Sequence, residues 1–268
     1  MKWSAIITTY NSEDVIGRAL RSLADLPLGE KPYVVVVVDN ASSDLTVKIV
    51  ESYRDTVPLK IVMNKLNTGL SMANNIGAAQ VENGSLFFLN PDVEILPGAV
   101  SVLMKFQEEH PDAAIIGPAM TDEDGVQQST ARSWPGPLVI ASRRTPLGQT
   151  PPGRRISLLH LNRFNSSSLP ARSQWLVGAA MWLTPNGRER VGLMSEKYFL
   201  YFEDVEWCWR AWKKGMEVWF EPGAKIRHVC RRESASGGTT FNHHLKSMLR
   251  FFISHPAVLL GAGPGKRI

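Results

Sequence analysis

The chain is poor in cysteine and contains no long apolar run. Cys208 and Cys230 are its only 2 cysteines in 268 residues, too few for a disulfide framework and without metal-ligand spacing. A reducing, cytoplasmic setting is the expectation. The longest unbroken apolar stretch, Tyr33 to Val38, is strand length, whereas a bilayer-spanning helix needs roughly 20 residues. Met1-Lys2-Trp3-Ser4 leads straight into a strand-like run with neither an apolar h-region nor a small-residue cleavage site, so no signal peptide is expected. There is no internal repeat. With 44% hydrophobic and 21% charged residues the composition is that of a folded globular chain, which excludes global disorder.

Acidic residues are missing where arginines gather. Between Val126 and Arg188 there is no Asp or Glu, while Arg132, Arg143, Arg144, Arg154, Arg155, Arg163, Arg172 and Arg188 all fall there. A second basic stretch, Lys225 to Arg250, holds Glu233 as its only acid, and the net charge is +5. That asymmetry fits a polyanionic partner, whether nucleic acid, a phosphorylated ligand or an anionic membrane face; it also fits a merely solvated surface. The common phosphate-binding motifs are absent. No Gly-x-Gly-x-x-Gly follows a strand, and no Gly-x-x-x-x-Gly-Lys-Ser/Thr occurs, which excludes the usual dinucleotide and P-loop devices.

What is present alternates in period. Ser4–Thr9 predicts a strand, Asn11-Ser12-Glu13-Asp14 supplies caps, and a helix is expected from about Val15 to Leu26. Val34–Val38 is β-branched throughout, the pattern of a strand buried on both faces. A helix to about Tyr53, a strand at Leu59–Met63, a helix at Ser71–Gln80 and a strand at Ser85–Leu89 complete a βαβαβαβ order, hence a parallel sheet. Further along, a helix runs to about His110, a strand follows at Ala114–Gly117, and regular signals return at Gln174–Leu183. A helix at Glu203–Lys214 and a strand at Glu217–Phe220 come last. Trp134 to Pro170, rich in Pro, Gly, Ser and Arg, shows no clear periodicity and is expected to be a long loop, functional or mobile.

Polar clusters stand where strands end: Thr8-Thr9-Tyr10-Asn11, Val38-Asp39-Asn40-Ala41-Ser42-Ser43-Asp44, and Phe88-Leu89-Asn90-Pro91-Asp92-Val93. With Asn67-Thr68-Gly69-Leu70-Ser71-Met72-Ala73-Asn74-Asn75-Ile76-Gly77, Val177-Gly178-Ala179-Ala180-Met181, Phe199-Leu200-Tyr201-Phe202-Glu203-Asp204-Val205-Glu206 and a later His228, they resemble, in order, the family 2 glycosyltransferases of the GT-A fold, rhamnosyltransferase-like branch. The resemblance covers roughly residues 4 to 230 and implies an α/β, Rossmann-like, mostly parallel central sheet flanked by helices, with a basic C-terminal helical tail. Residues 1–118 form the nucleotide-sugar-binding half of one GT-A domain, 119–230 the acceptor-binding and catalytic half, and 231–268 the tail.

The same resemblance assigns roles. Thr9, Asn11, Asp39, Asn67, Gly69, Asn74, Asn90 and Asp92 bind the nucleotide sugar, with Asp39 accepting from the pyrimidine ring; as bare residues, Asp39 and the Asn67–Asn74 set serve equally as turn and helix caps. Asn90-Pro91-Asp92 occupies the place of the metal-binding Asp-x-Asp, leaving Asp92 with His228 to hold Mg²⁺ or Mn²⁺. Arg227, Arg231 and Arg232 could grip a diphosphate. Asp204 is the general base for the acceptor hydroxyl, with Glu206 the reserve candidate; Glu203 orients the base or binds the acceptor, and Trp207 and Glu206 contact the acceptor. Val205, Cys208, Trp209 and Trp212 follow helical spacing and belong to the core, while Trp207 falls off that stripe.

The implied reaction is inverting transfer of a sugar, L-rhamnose from dTDP-rhamnose (or a UDP-linked donor), to a lipid-linked or polysaccharide acceptor. Phe241 to Leu260 mixes His243, His244, Lys246 and Arg250 with apolar residues, a basic amphipathic helix suited to the anionic inner face of a cell membrane or to packing on the domain. Two rivals stand beside this reading. A nucleotidyltransferase of related fold would carry a glycine-rich basic loop after the first strand, which Thr8-Thr9-Tyr10-Asn11 is not. A nucleic-acid-binding protein would need a recognition signature that the arginine-rich segments lack, so no nucleic-acid partner is expected.

Overall fold

The computed structural model describes residues 1–161, 168–229, 239–260 and 262–264. Its centre is a ten-stranded sheet. Strands β1 (Trp3–Thr9), β2 (Val35–Asp39), β3 (Leu59–Met63) and β4 (Ser85–Leu89) run parallel in the order β3-β2-β1-β4. Helices α1 (Ile16–Ala24), α2 (Thr46–Glu51) and α3 (Leu70–Ala78) connect them, as the βα alternation predicts. Every residue of β2 is buried, because successive side chains feed opposite cores: Val36 and Val38 join Ile6 and Phe88 on one face, while Val35 and Val37 join Ile7 and Phe87 on the other. That is why this strand reads as a continuous valine run rather than an alternation.

Beyond β4 the sheet becomes mixed. After β5 (Val93–Ile95) and α4 (Ala99–Glu109) come β6 (Ala113–Thr121), β7 (Gln127–Gln128) and β8 (Ala131–Arg132). Three more strands precede the last helices: β9 (Ala171–Arg172), β10 (Trp175–Leu176) and β11 (Ala180–Leu183). Strand β11 inserts antiparallel between β4 and β6. The long β12 (Glu217–His228) then lies parallel to β6 and antiparallel to β5. Its register sets His228 opposite Val93, so a residue more than a hundred positions away reaches the turn that follows β4.

Two expectations need correction. Residues 134–170 are not a structureless loop: they hold α5 (Pro137–Arg144), a 3₁₀ turn at Pro146–Gln149 and α6 (Pro151–Leu161). Each of these begins on a proline, which a first helical turn accepts because its N–H has no intrahelical partner. The same prolines suppress helical periodicity. The strand expected at Glu217–Phe220 runs on to His228, past Pro222 and Gly223, through a register shift between Glu221 and Lys225. Arg163, Cys230, Arg231 and Arg232 lie outside the described residues.

Helix α7 (Pro185–Arg190) and helix α8 (Glu203–Lys213) precede β12, and helix α9 (Thr239–Ser254) follows it, succeeded by a 3₁₀ turn at Pro256–Leu260. Among the described residues no helix is long and apolar enough to cross a membrane.

Candidate active site

Parallel strands bring their carboxyl ends to one edge, and a cleft of about 350 Å³ opens there. Thr8 and Tyr10 line it from β1, Asn40 from β2, Asn67 and Gly69 from the turn before α3, Asn90 and Asp92 from the end of β4, and His228 from β12. The opposite wall is Phe199, Leu200 and Tyr201. Of the residues singled out from sequence, Asn67, Gly69, Asn90, Asp92 and His228 therefore meet in one place.

Others stand behind the cleft surface. Asp39 is 1% exposed: one carboxylate oxygen accepts from the Ser42 N–H at 3.0 Å, and its Oδ1 is buried with no hydrogen-bond partner. Thr9 is equally buried, with its hydroxyl unpartnered. Asn74 accepts from the Thr8 hydroxyl at 2.7 Å and points its amide at the Met194 sulfur, beneath the cleft floor. Asn11, at φ 47°, accepts from the Ser43 N–H at 2.8 Å and ties the β1 turn to the β2 turn.

The turn before α3 depends on one glycine. Gly69 has φ 83°, and a Cβ there would lie 2.5 Å from the Phe199 carbonyl oxygen. That carbonyl accepts the Leu70 N–H at 2.7 Å, so the two walls of the cleft are joined through their backbones. Asn40 is the hub on this side. Its amide donates to Asn67 Oδ1 at 2.9 Å, and its carbonyl oxygen accepts from Asn64 and from the Thr68 N–H, each at 3.0 Å.

The pair at the floor has the chemistry of a cation site. His228 Nε2 lies 3.5 Å from Asp92 Oδ2, both side chains are about nine-tenths buried, and Asp92 Oδ1 has no partner. Gln128, which the sequence reading missed, decides the histidine tautomer. Its amide nitrogen donates to the His228 carbonyl at 2.8 Å, so its oxygen receives the Nδ1 proton at 2.8 Å. With Nδ1 turned to Gln128, Nε2 faces a carboxylate, an arrangement into which a cation would fit. Among the described residues no third His, Asp, Glu or Cys joins the pair, so a hard divalent ion would take its remaining oxygens from water and ligand phosphates. Arg227 is held by Glu94 at 3.1 Å.

Glu203 and Asp204 open α8 behind a strained turn. Tyr201 and Phe202 have φ 67° and 65°, a left-handed conformation that costs bulky residues about 1–3 kcal/mol each. Asp204 Oδ2 accepts from the Gly178 N–H at 2.9 Å and Oδ1 from the Val205 N–H at 2.8 Å. Burial pushes Asp204 above the ordinary carboxylate range, and those two donors pull it partly back. Glu203 is pushed up to about 8, chiefly by burial and then by the Asp204 charge, and its Oε2 is buried without a partner. With two backbone donors on Asp204 and none on that oxygen, Asp204 is the better placed of the two to carry the pair's negative charge. The loop bonded to Asp204 also reaches the cleft, since Ala179 O accepts the Asn90 N–H at 2.8 Å.

Two expected acceptor contacts are placed differently. Trp207 is 0% exposed, donates its indole N–H to Gly192 O at 2.8 Å and meets Phe88 edge to face. It is a core residue: the α8 apolar face is wide enough to include a position off the narrow stripe. Glu206 is gripped by Arg210 through two 3.1 Å hydrogen bonds, and Arg210 also donates to the Val191 and Leu193 carbonyls. Trp182 is likewise buried, against Trp3 and Phe87.

The sequence profile of glycosyl transferase family 2 matches residues 4–165, more than half of the chain. An N-acetylglucosaminyl-diphospho-decaprenol L-rhamnosyltransferase of Mycobacterium tuberculosis is 29% identical over 220 residues, covering 78% of this chain and 70% of its own. The poly(ribitol-phosphate) β-N-acetylglucosaminyltransferase TarS of Staphylococcus aureus is 29% identical over 205 residues, 75% of this chain and only 35% of TarS. The crystal structure of GalNAc-T7 with UDP, GalNAc and Mn²⁺ superposes with a TM-score of 0.69 at 20% identity. It covers 94% of this chain and 48% of that one, and it shares the GT-A fold.

Proposed function

Because the chain belongs to glycosyl transferase family 2, we propose that it moves L-rhamnose from dTDP-rhamnose to a hydroxyl of a lipid-linked or polysaccharide acceptor, with inversion, at the cytoplasmic face of the cell membrane. One observation carries the site assignment: Asp92 and His228 face each other across 3.5 Å at the floor of a strand-end cleft, with Asp92 Oδ1 unsatisfied. The L-rhamnosyltransferase relative supports the sugar.

In this reading the pyrimidine sits at the ends of β1 and β2, where Asp39 Oδ1 has an acceptor to spare. Thr9 and Asn11 shape that end, Asn74 supports it from below, and Asn67 and Gly69 flank the ribose. Asn90, Asp92 and His228 face the diphosphate. A Mg²⁺ or Mn²⁺ ion held by Asp92 and His228 would supply positive charge against the departing nucleotide diphosphate. Asp204 takes the proton of the acceptor hydroxyl, and Glu203, protonated beneath it, keeps the negative charge on the base. Direct attack by the acceptor oxygen breaks the anomeric C–O bond to the diphosphate, and this single displacement inverts the centre. Trp207 and Glu206 have no part in the proposal, since both are committed to the fold.

Calorimetric titration with dTDP and with UDP, each with and without Mn²⁺ or Mg²⁺, tests it. We expect metal-enhanced binding, tighter for dTDP, and loss of the enhancement in Asp92→Ala. Tighter UDP binding would shift the donor toward the N-acetylglucosamine nucleotide suggested by the TarS similarity. Absence of binding by either nucleotide would sink the site assignment.

A further inference from the structure

The two sides of α9 differ sharply. Its inner side carries Ser247 and Phe251, both buried against the domain. The outer side carries Phe241, Leu245, Leu249 and Ile253, which are 47%, 39%, 51% and 80% exposed. Four-residue spacing sets these in a single row along the helix. Exposed Lys246 and Arg250 border the row, and no acidic residue follows Glu233 in the chain. An apolar row with a purely cationic edge complements an anionic lipid interface, where the rings and branched chains enter the acyl boundary and the cations meet headgroups.

The inner side of the same helix holds the cleft wall residue by residue. The His243 ring stacks on Phe199 at 4.4 Å, the Ser247 hydroxyl donates to the Leu200 carbonyl at 2.9 Å, and the His244 ring lies 5.1 Å from Tyr201. Phe251 then packs on Phe202 at 5.5 Å. Helix α9 thus clamps the left-handed Tyr201-Phe202 turn from which α8 and Asp204 start.

We propose that α9 docks the protein on an anionic lipid surface through Phe241, Leu245, Leu249 and Ile253, edged by Lys246 and Arg250, and so brings the mouth of the cleft to that surface. The inference deepens the transferase reading, on which it rests for a lipid-linked acceptor. Docking itself requires no sugar transfer and is tested without it.

The test is flotation with phosphatidylglycerol-containing vesicles and with neutral phosphatidylcholine vesicles at low salt. The protein should float with the anionic vesicles only. The double variant Leu249→Glu/Ile253→Glu should lose about a hundredfold or more of that partitioning, given the apolar area withdrawn from lipid. Lys246→Glu should lose at least about fivefold. Unchanged circular dichroism and nucleotide titration in these variants would show that fold and cleft are intact. Vesicle binding retained by the double variant would overturn the proposal, as would failure of the native protein to float. So would a concentration-dependent dimer that the double variant disperses, because the row would then serve a second copy. Should nucleotide binding fail while flotation succeeds, the transferase reading falls and docking stands; the converse result removes docking alone.

Discussion

Burial and hydrogen bonding pull on Asp204 in opposite directions, and burial prevails. A base works only when deprotonated, so activity should fall as pH drops through its raised value. We expect the acid limb of the kcat/KM profile to lie above the ordinary carboxylate range, checked by transfer assays across pH. Asp204→Asn, which keeps the shape and one acceptor but loses basicity and sets an amide NH₂ against one of the two backbone N–H donors, should reduce kcat by about 10²–10⁴-fold. Residue-scale legibility in the sequence was uneven. Asp92 and His228 could be singled out because the motifs, taken in order, resemble those of the family. Gln128 could not, because it acts through a pairing across 100 residues with no local pattern. Trp207 was misjudged because off-stripe position along one helix does not reveal that a second element, Phe88 on β4, covers it.

At the scale of elements, turns decide whether the cleft exists. Gly69 joins the α3 turn to Phe199, where a Cβ would meet the Phe199 backbone as well as its ring. Gly69→Ala should therefore destabilise the fold by more than about 1 kcal/mol, since alanine at positive φ is strained even before the collision. Urea unfolding measures that loss, and weakened nucleotide binding should accompany it. Strands and helices with a clean period were legible in the residue pattern alone, Leu59–Met63 and Ser85–Leu89 to the residue. Helices α5 and α6 were hidden, because proline and glycine at their starts suppress the periodic signal that longer amphipathic segments display. The left-handed pair Tyr201-Phe202 was also invisible, as aromatic residues carry no local preference for that conformation.

For the whole molecule, the question is whether the C-terminal helix belongs to the same cooperative unit as the sheet. Phe251 is 0% exposed and shares one core with Phe202, Trp209 and Val205. Phe251→Ala should then cost about 3–5 kcal/mol and shift a single transition, with tryptophan fluorescence and far-UV circular dichroism coinciding. Two separated transitions would make the tail an independent appendage. The sheet carries its own lesson at this scale. Its parallel half follows from βα alternation, but β11 entering antiparallel between β4 and β6 follows from no local signal.

By itself, the sequence determined the α/β class, the parallel strands, the family and the polar clusters at strand ends, because each is written in short-range periodicity or ordered motifs. Tertiary structure alone decided which clusters face one cleft. It set His228 beside Asp92 through the register of β12 on β5, buried Trp207, raised the Glu203–Asp204 pair out of the ordinary carboxylate range, and laid α9 against the cleft wall. These outcomes depend on contacts between segments far apart in the chain, and on the low dielectric that arises only once those segments close over one another.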